Sequence, residues 1–150
     1  MSLSDSDLSA NGCHEETVVR GRVSSGLGEG KFFTELPWAK AQFIAKLGID
    51  PFPGTFNLGL EDPEDQKRIM ALRKKAGVKI VPDSPEFCSG KCFGVVIEGM
   101  IAGAVVFPEV DDYPVDKLEI IAPVNIKSVL KIEDGDAVTV TLLAEPSLFG

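Results

Sequence analysis

The chain has little cysteine and almost no histidine, the side chains from which most zinc sites and disulfide frameworks are built. It contains three cysteines, Cys13, Cys88 and Cys92, and one histidine, His14. The spacing between Cys88 and Cys92 is wider than in the usual zinc-binding pairs, and no second pair exists. We therefore expect ordinary reduced cysteines, with a zinc site as the alternative. A chain of 150 residues is long enough to form a core without disulfides or metals.

Long apolar runs and an excess of positive charge are also missing. No stretch approaches the roughly 20 apolar residues of a membrane span, and residues 1–11 lack the apolar segment of a signal peptide. The net charge of −8 argues against an extended contact with a nucleic-acid backbone. We expect a cytoplasmic protein that binds neither membranes nor nucleic acids. The expected oligomeric state is a monomer.

A glycine-rich loop follows a strand-like run at residues 17–23. Its sequence is Ser24-Ser-Gly-Leu-Gly-Glu-Gly-Lys31, and a further strand predicted at 31–34 would complete a hairpin around it. Alternating glycines let the backbone approach a ligand closely, and their N–H groups can converge on a phosphate. Lys31 would add a positive charge there. A hairpin turn without a ligand explains the same pattern, so the loop alone leaves both interpretations open.

A helix is predicted over residues 35–47, because Pro37 suits a first helical turn and Gly48 is a typical stop signal. Its expected apolar stripe consists of Trp38, Ala41, Phe43, Ile44 and Ala45. Trp38 is the only tryptophan in the chain. We expect it to anchor the core, and stacking on a ligand is the alternative.

Between this helix and the next, Pro51-Phe-Pro-Gly54 predicts a stiff turn that leads into a strand over residues 55–58. Thr55 and Asn57 share one face of that strand, because side chains alternate with a period of two. Their hydroxyl and amide oxygens are neutral ligands of a kind that Mg²⁺ accepts. From these residues alone, a turn in which they satisfy their own backbone is the preferred interpretation.

A second helix is predicted over residues 61–75, with acidic residues in its first turn and basic residues in its last. Its expected inner side consists of Ile69, Met70 and Leu72. From residue 78 onward the pattern indicates short strands, predicted at 78–81, 92–97, 100–107, 117–122 and at the end of the 131–142 stretch. At least six strands with two helices favour a small β-barrel over a doubly wound sheet. We predict one domain at 17–145, a disordered lead-in at 1–16 and a short tail at 146–150.

Five motifs follow one another along residues 17–142 in a specific order. They are Gly21-x-Val-x-Ser-Gly-Leu-Gly-Glu-Gly-Lys31, Gln42-Phe43 with Leu47-Gly48, Pro51-Phe-Pro-Gly-Thr-Phe-Asn-Leu58, Phe93-Gly94, and Tyr113-Pro114 with Leu118-Glu-Ile-Ile-Ala-Pro-Val124 and Asp134-Gly-Asp136. Together they make the chain resemble the archaeal-type CTP-dependent riboflavin kinases. The resemblance implies a mainly β fold, a six-stranded cradle-loop barrel with two inserted helices. It also implies transfer of the γ-phosphoryl group of CTP to the 5′-hydroxyl of riboflavin, which gives FMN and CDP.

The resemblance further implies roles for individual residues. Thr55 and Asn57 would hold Mg²⁺, in contrast to the interpretation from those residues alone. Glu119 would contact the flavin and is the candidate general base, although its position alone equally suits a strand residue that faces solvent. The nucleotide phosphates would lie against Gly26, Leu27, Gly28, Glu29, Gly30 and Lys31. The cytosine side would be formed by Val124, Asn125, Ile126 and Lys127.

Two positions depart from the family pattern. Where the family has a threonine that contacts the flavin nucleotide's phosphate, this chain has Asp111, whose carboxylate would repel that phosphate. Lys127 stands where the family tends to have arginine, which loses bidentate geometry. Two alternatives therefore accompany the kinase interpretation. One is phosphorylation of a different small alcohol by the same fold, and the other is a non-catalytic regulatory module that binds flavin or nucleotide.

Overall fold

The computed structural model describes residues 16–25 and 34–144. The strands of this part are β1 (Glu16–Ser24), β2 (Phe56–Gly59), β3 (Val78–Ile80), β4 (Gly90–Ile97), β5 (Ile101–Pro108), β6 (Lys117–Ile121) and β7 (Ala137–Leu143). Its helices are α1 (Pro37–Gln42), which continues as a π-helical turn over Phe43–Leu47, α2 (Pro63–Arg73) and α3 (Ile126–Leu130). Among the described helices, none is long and apolar enough to cross a lipid bilayer.

Six strands form a closed antiparallel barrel. Their order is β4-β5-β6-β2-β1-β7, and a second pairing of β4, with β7, closes the ring. The first and last strands, β1 and β7, pair from Glu16 opposite Leu143 to Arg22 opposite Ala137. β3 pairs with the part of β4 that β7 does not reach. The predicted mainly β, six-stranded barrel with inserted helices is confirmed, with β3 as an additional short strand outside the ring.

The barrel interior is apolar because alternate strand residues point inward. In β7, for example, Val138, Val140 and Leu142 are buried and the residues between them are partly exposed. A second apolar cluster lies on the other face of β4 and β5, where Cys92, Ala104 and Val106 pack against α1. Trp38 is partly buried against this second cluster. The core therefore has two layers, one inside the ring and one between the ring and α1.

The first helix buries a different face from the one predicted. Its buried residues are Ala39, Phe43 and Leu47, each four residues apart, whereas Ala41, Ile44 and Ala45 are exposed. This face is already set in the α-helical part, where Ala39 is buried and Ala41 exposed, and the π-helical turn over residues 43–47 continues it with Phe43 and Leu47. The predicted stripe is therefore wrong at those three exposed positions.

The second helix begins where the acidic cluster predicts it, with Asp62 as its N-cap. The Asp62 side chain accepts a hydrogen bond from the backbone N–H of Glu64 at 2.9 Å. Met70 is about half exposed, so its predicted place on the inner side is wrong, while Ile69 and Leu72 are buried as expected. Only a narrow stripe of this short helix, with Ile69 and Leu72, therefore packs against the barrel.

Two predicted boundaries also change. Thr34, expected to end a strand, lies in a helical turn before α1, and residues 31–33 are outside the described part of the chain. The lead-in predicted at 1–16 falls outside it except for Glu16, which begins β1. The tail predicted at 146–150 is likewise outside the described residues.

Gly103 in β5 marks a close approach of two strands. A Cβ added there would lie 2.4 Å from the backbone oxygen of Ile121 in β6. Gly103→Ala is therefore expected to lower the free energy of unfolding by about 2–4 kcal/mol, because strand β6 would have to move. Urea unfolding followed by circular dichroism measures this loss. The control is Gly59→Ala, since no atom lies within 4 Å of a Cβ at that position. Equal stability of the two variants would contradict the proposed clash.

Candidate active site

A hollow of about 290 Å³ opens where β1 and β6 end and β2 begins. We call it the Asn57 hollow. Its lining includes the predicted metal-binding residues Thr55 and Asn57 and the predicted cytosine-side residues Val124, Asn125, Ile126 and Lys127. The fold thus brings together two groups of residues that are about 70 positions apart in the sequence.

The strand register explains why polar side chains meet at this end of the barrel. Asn57 of β2 lies opposite Ser24 of β1 on one side and opposite Glu119 of β6 on the other. Residues directly opposite each other on antiparallel strands point to the same face of the sheet. Ser24, Asn57 and Glu119 therefore form one polar row across three neighbouring strands.

Thr55 and Asn57 lie close enough to share one metal ion. Thr55 Oγ1 is 3.4 Å from Asn57 Oδ1, and the Asn57 amide group donates to the backbone oxygen of Thr55 at 3.0 Å. Neighbouring ligands in an octahedral Mg²⁺ site are about 3 Å apart, because each bond measures 2.0–2.1 Å. The two oxygens fit such a site with a small adjustment, and Asn57 is already buried. Asn57 thus contacts its own backbone, as one interpretation of the sequence expects. Its oxygen also lies close enough to that of Thr55 to share a metal ion, as the other interpretation expects.

The turn before Thr55 is fixed from both sides. The backbone N–H of Phe52 donates to the backbone oxygen of Ala122 at 2.8 Å, which joins the turn to the end of β6. The N–H of Gly54 donates to the buried hydroxyl of Thr34 at 2.9 Å. Gly54 has a φ of 98°, which a side chain would disfavour. The edge of the Asn57 hollow is therefore held in place before any ligand binds.

Lys127 takes part in a network at the opposite edge of the hollow. Its ammonium group is 2.8 Å from Asp134 Oδ1, and the hydroxyl of Ser25 donates to Asp134 Oδ2. These hydrogen bonds, first that of Lys127 and then that of Ser25, lower the pKa of Asp134. The network links the end of β1, the short helix α3 and the loop before β7.

The predicted phosphate-binding residues Gly26–Lys31 lie outside the described residues. β1 leads toward them, and Ser24 and Ser25, which come directly before them, line the Asn57 hollow. The predicted contact between these glycines and a nucleotide stays a prediction.

A second hollow, of about 260 Å³, adjoins the first at Thr55, which lines both. We call it the Glu119 hollow. Phe87, Val106 and Tyr113 give it a more apolar lining than the Asn57 hollow has. The side chain of Glu119 is 21% exposed. Its Oε2 accepts a hydrogen bond from the Tyr113 hydroxyl at 2.5 Å and lies 4.0 Å from the Lys117 ammonium.

Asp111 lines neither of these two hollows. It lies in a third one beside Arg73 and Lys91. Asp111 and Glu119, both predicted to contact the flavin, therefore line two different hollows, which share Pro108. The predicted flavin contact of Asp111 stays a prediction, and repulsion of a phosphate by its carboxylate would be reduced by the two neighbouring cations.

The two described cysteines have separate environments. Cys88 is exposed and lines the Glu119 hollow, whereas Cys92 is buried in the second apolar cluster. Burial raises the pKa of the Cys92 thiol to about 12, so this thiol is unreactive at neutral pH. In residues 16–25 and 34–144, no three His, Cys, Asp or Glu side chains are grouped so that they could hold a metal ion.

Sequence reasoning missed the residues that surround Glu119. The sequence places Tyr113 only in a motif, Lys117 only at the start of a predicted strand and Cys88 only among the reduced cysteines. Tyr113 is the only tyrosine of the chain and precedes a proline, but neither property indicates a bond to Glu119. The contact depends on how the loop after β5 folds back, which side-chain periodicity does not report.

Comparison with known proteins identifies the family of this chain. The family model CTP-dep_RFKase, described as domain of unknown function DUF120, matches residues 23–142. A riboflavin kinase of Methanosarcina barkeri is 42% identical over 126 residues, which cover 83% of this chain and 56% of the relative. One from Archaeoglobus fulgidus is 39% identical over 128 residues, which cover 83% and 54%.

A shorter riboflavin kinase, from Methanothermobacter thermautotrophicus, is 35% identical over 120 residues. That alignment covers 80% of this chain and 94% of the relative. The chain thus spans about half the length of the first two relatives and almost all of the third. On the family match and these similarities, the chain belongs to the CTP-dependent riboflavin kinase domain family.

Proposed function

We propose that this domain transfers the γ-phosphoryl group of CTP to the 5′-hydroxyl of riboflavin. The observation that carries the proposal is the junction of two hollows at Thr55. One hollow has neutral oxygen ligands suited to a metal–phosphate group, and the other places a carboxylate in a largely apolar site. A donor in the first and an acceptor in the second would meet beside Thr55.

Thr55 and Asn57 would hold Mg²⁺ between them. When bound, the ion neutralises charge on the transferring phosphoryl group, which is the main requirement of this chemistry. Because both ligands are neutral, the positive charge of the ion stays available to the phosphates. Backbone N–H groups of Gly26–Lys31 would contact the same phosphates in our proposal.

Glu119 would orient the acceptor. Its carboxylate would accept a hydrogen bond from the 5′-hydroxyl of riboflavin and take the proton as the new oxygen–phosphorus bond forms. The bond between the γ-phosphorus and the β,γ-bridging oxygen breaks in the same transfer, and CDP is the leaving group. The apolar side chains of Phe87, Val106 and Tyr113 would pack against the flavin ring.

Recognition of cytosine is assigned to the other end of the Asn57 hollow. The segment Val124–Lys127 includes the N-cap residue of α3, Asn125, whose Oδ1 accepts from the N–H of Ser128 at 3.3 Å. Because this side-chain oxygen is used in the cap, backbone groups of the segment are the more accessible partners for a base edge. Backbone groups in a fixed conformation can distinguish cytosine from the other bases.

The proposal is tested by incubating the purified protein with riboflavin, Mg²⁺ and each nucleoside triphosphate in turn. We expect FMN, separated by chromatography, with CTP and none or much less with ATP, GTP or UTP. The exposed-surface variant Lys67→Gln serves as the matched control, since Lys67 pairs only with Glu64 in α2 among the described contacts. Absence of FMN with every nucleotide, despite binding of CTP, would refute the riboflavin kinase assignment.

A further inference from the structure

Tyr113 is fixed more firmly than a residue that only lines a hollow requires. Its hydroxyl donates to Glu119 Oε2 at 2.5 Å. The Arg73 guanidinium lies 5.6 Å from the centre of its ring and the Lys117 ammonium lies 5.9 Å from it. Both distances are within the range of cation–π attraction. Tyr113 is thus held through its hydroxyl and through its ring.

Arg73 also holds the backbone of the loop that carries Tyr113. Its guanidinium donates to the backbone oxygens of Tyr113 at 3.2 Å and of Pro114 at 3.4 Å. Arg73 is the last residue of α2, and its own backbone oxygen accepts from the Lys91 ammonium at 2.7 Å. The loop before β6 is therefore attached to α2 and, through Lys91, to β4.

These contacts have a consequence for the Glu119 carboxylate. Among the described residues, the hydrogen bond and the ion pair of this carboxylate both use Oε2. Neither of these contacts involves Oε1. One oxygen is fixed by Tyr113 and Lys117, so the orientation of the other is fixed as well. A carboxylate held in this way needs less reorganisation when it accepts a hydrogen bond from a substrate hydroxyl.

We propose that Tyr113, held in place by Arg73, is a positioning residue that orients Glu119 toward the hydroxyl of the flavin acceptor. This inference deepens the proposed function and rests on it for the identity of the acceptor. Tyr113 itself takes no proton in the transfer. Its role is to hold Oε2 so that Oε1 is directed to the acceptor.

The protonation of Tyr113 agrees with this geometry. Burial raises the pKa of Tyr113, and the hydrogen bond to Glu119 and the negative charge of Glu119 raise it further, while Arg73 lowers it by a smaller amount. The tyrosine therefore stays protonated, as a donor to the carboxylate, across and above the neutral pH range. Arg73, Lys117 and Glu119 are the charged groups that face it in the described contacts.

The test uses Tyr113→Phe, which keeps the ring and removes only the hydroxyl. We expect the dissociation constant of riboflavin, measured by flavin fluorescence without nucleotide, to rise about tenfold, while circular dichroism shows the same fold and the thermal unfolding midpoint falls only by the loss of one hydrogen bond. The KM for riboflavin should rise by a similar factor, and the KM for CTP should not change. A control that also loses one hydroxyl is Thr139→Val, where the hydroxyl contacts the exposed Arg20 side chain. Wild-type affinity in Tyr113→Phe would overturn the inference.

A direct measurement tests the contact without any turnover. Because Tyr113 is the only tyrosine in the chain, near-ultraviolet absorbance at alkaline pH reports its ionisation alone. In the wild-type protein it should remain protonated at a pH of about 10, where half of a free tyrosine is ionised. Glu119→Gln should lower the pKa of Tyr113, because the charge that raises it is removed. The same titration curve in both proteins would show that the contact is absent.

The two proposals fail in different ways. If the wild-type protein binds riboflavin and responds to Tyr113→Phe but makes no FMN, the proposed kinase reaction is wrong and the positioning role stands. If it makes FMN and Tyr113→Phe is as active and as tight in binding as wild type, the positioning role is wrong and the reaction stands.

Discussion

Replacing Asn57 with alanine should lower kcat for FMN formation at least 100-fold. The change removes one of two neutral oxygens that would hold Mg²⁺, and it leaves Thr55 without the partner 3.4 Å away. A metal ion bound less tightly and in the wrong position neutralises less charge in the transition state. Assays over a range of Mg²⁺ concentrations measure the effect, and high Mg²⁺ should restore part of the activity. Unchanged rates at limiting Mg²⁺ would count against the metal-binding role.

The control for this prediction is Gln66→Ala. The Gln66 amide donates to the backbone oxygen of Leu60 at 2.8 Å, much as the Asn57 amide donates to that of Thr55. Both variants therefore lose one hydrogen bond from a side-chain amide to the backbone, and comparable small losses of stability are expected. Only Asn57 faces the hollow. An equal loss of activity in the two variants would indicate a structural effect in place of a metal-binding one.

Glu119→Gln should lower kcat by about 10²–10⁴ fold, the usual range for loss of a general base. The amide keeps nearly the same shape but cannot take a proton from the acceptor hydroxyl. Riboflavin affinity should fall less than kcat, because the amide oxygen stays beside Tyr113 and Lys117 and the NH₂ group that replaces Oε1 can still donate a hydrogen bond to the hydroxyl oxygen. Single-turnover measurement of FMN formation gives the chemical step, and quenching of Trp38 fluorescence gives flavin binding. Trp38 suits this purpose because its ring centre is 5.5 Å from that of Phe87, which lines the Glu119 hollow.

The comparison variant is Glu61→Gln, which removes a carboxylate that pairs with Arg22 at 3.1 Å on the protein surface. An exposed ion pair of this kind contributes little, so activity should remain close to wild type. A kcat in Glu119→Gln within a factor of three of wild type would remove Glu119 from the role of base. Proton transfer would then have to proceed directly to solvent or to the phosphate.

Local sequence patterns predicted the parts of the structure that depend on local geometry. Thr55 and Asn57 were placed on one face from the two-residue period of a strand, and their oxygens are indeed close together, although β2 begins only at Phe56. The strands predicted at 92–97 and 100–107 leave only Glu98 and Gly99 between two apolar runs, which predicts a short turn. Both residues adopt positive φ angles there, as a tight hairpin requires.

Features that depend on tertiary packing were not predictable in the same way. The buried face of α1 depends on how this helix packs against the outer face of β4 and β5, which its own apolar pattern does not specify. Asp111 departs from the threonine that the resemblance implies at this position. It lines a hollow together with Arg73 and Lys91, and that neighbourhood requires α2, β4 and the loop after β5 together. The contact between Tyr113 and Glu119 likewise depends on Arg73 from a distant helix.

The pairing of β1 with β7 also constrains how the chain reaches its native state. These strands are the first and last of the described fold, so the ring cannot close until almost the whole domain is available. Closing a loop of that length costs chain entropy before the new contacts are made, and folding rates fall as contacts become more distant in sequence. The hairpin of β4 and β5, whose strands are joined by only three residues, closes at a much smaller cost. Folding is therefore expected to begin at this central hairpin and to end with the docking of the two terminal strands, which also completes the polar row at Ser24.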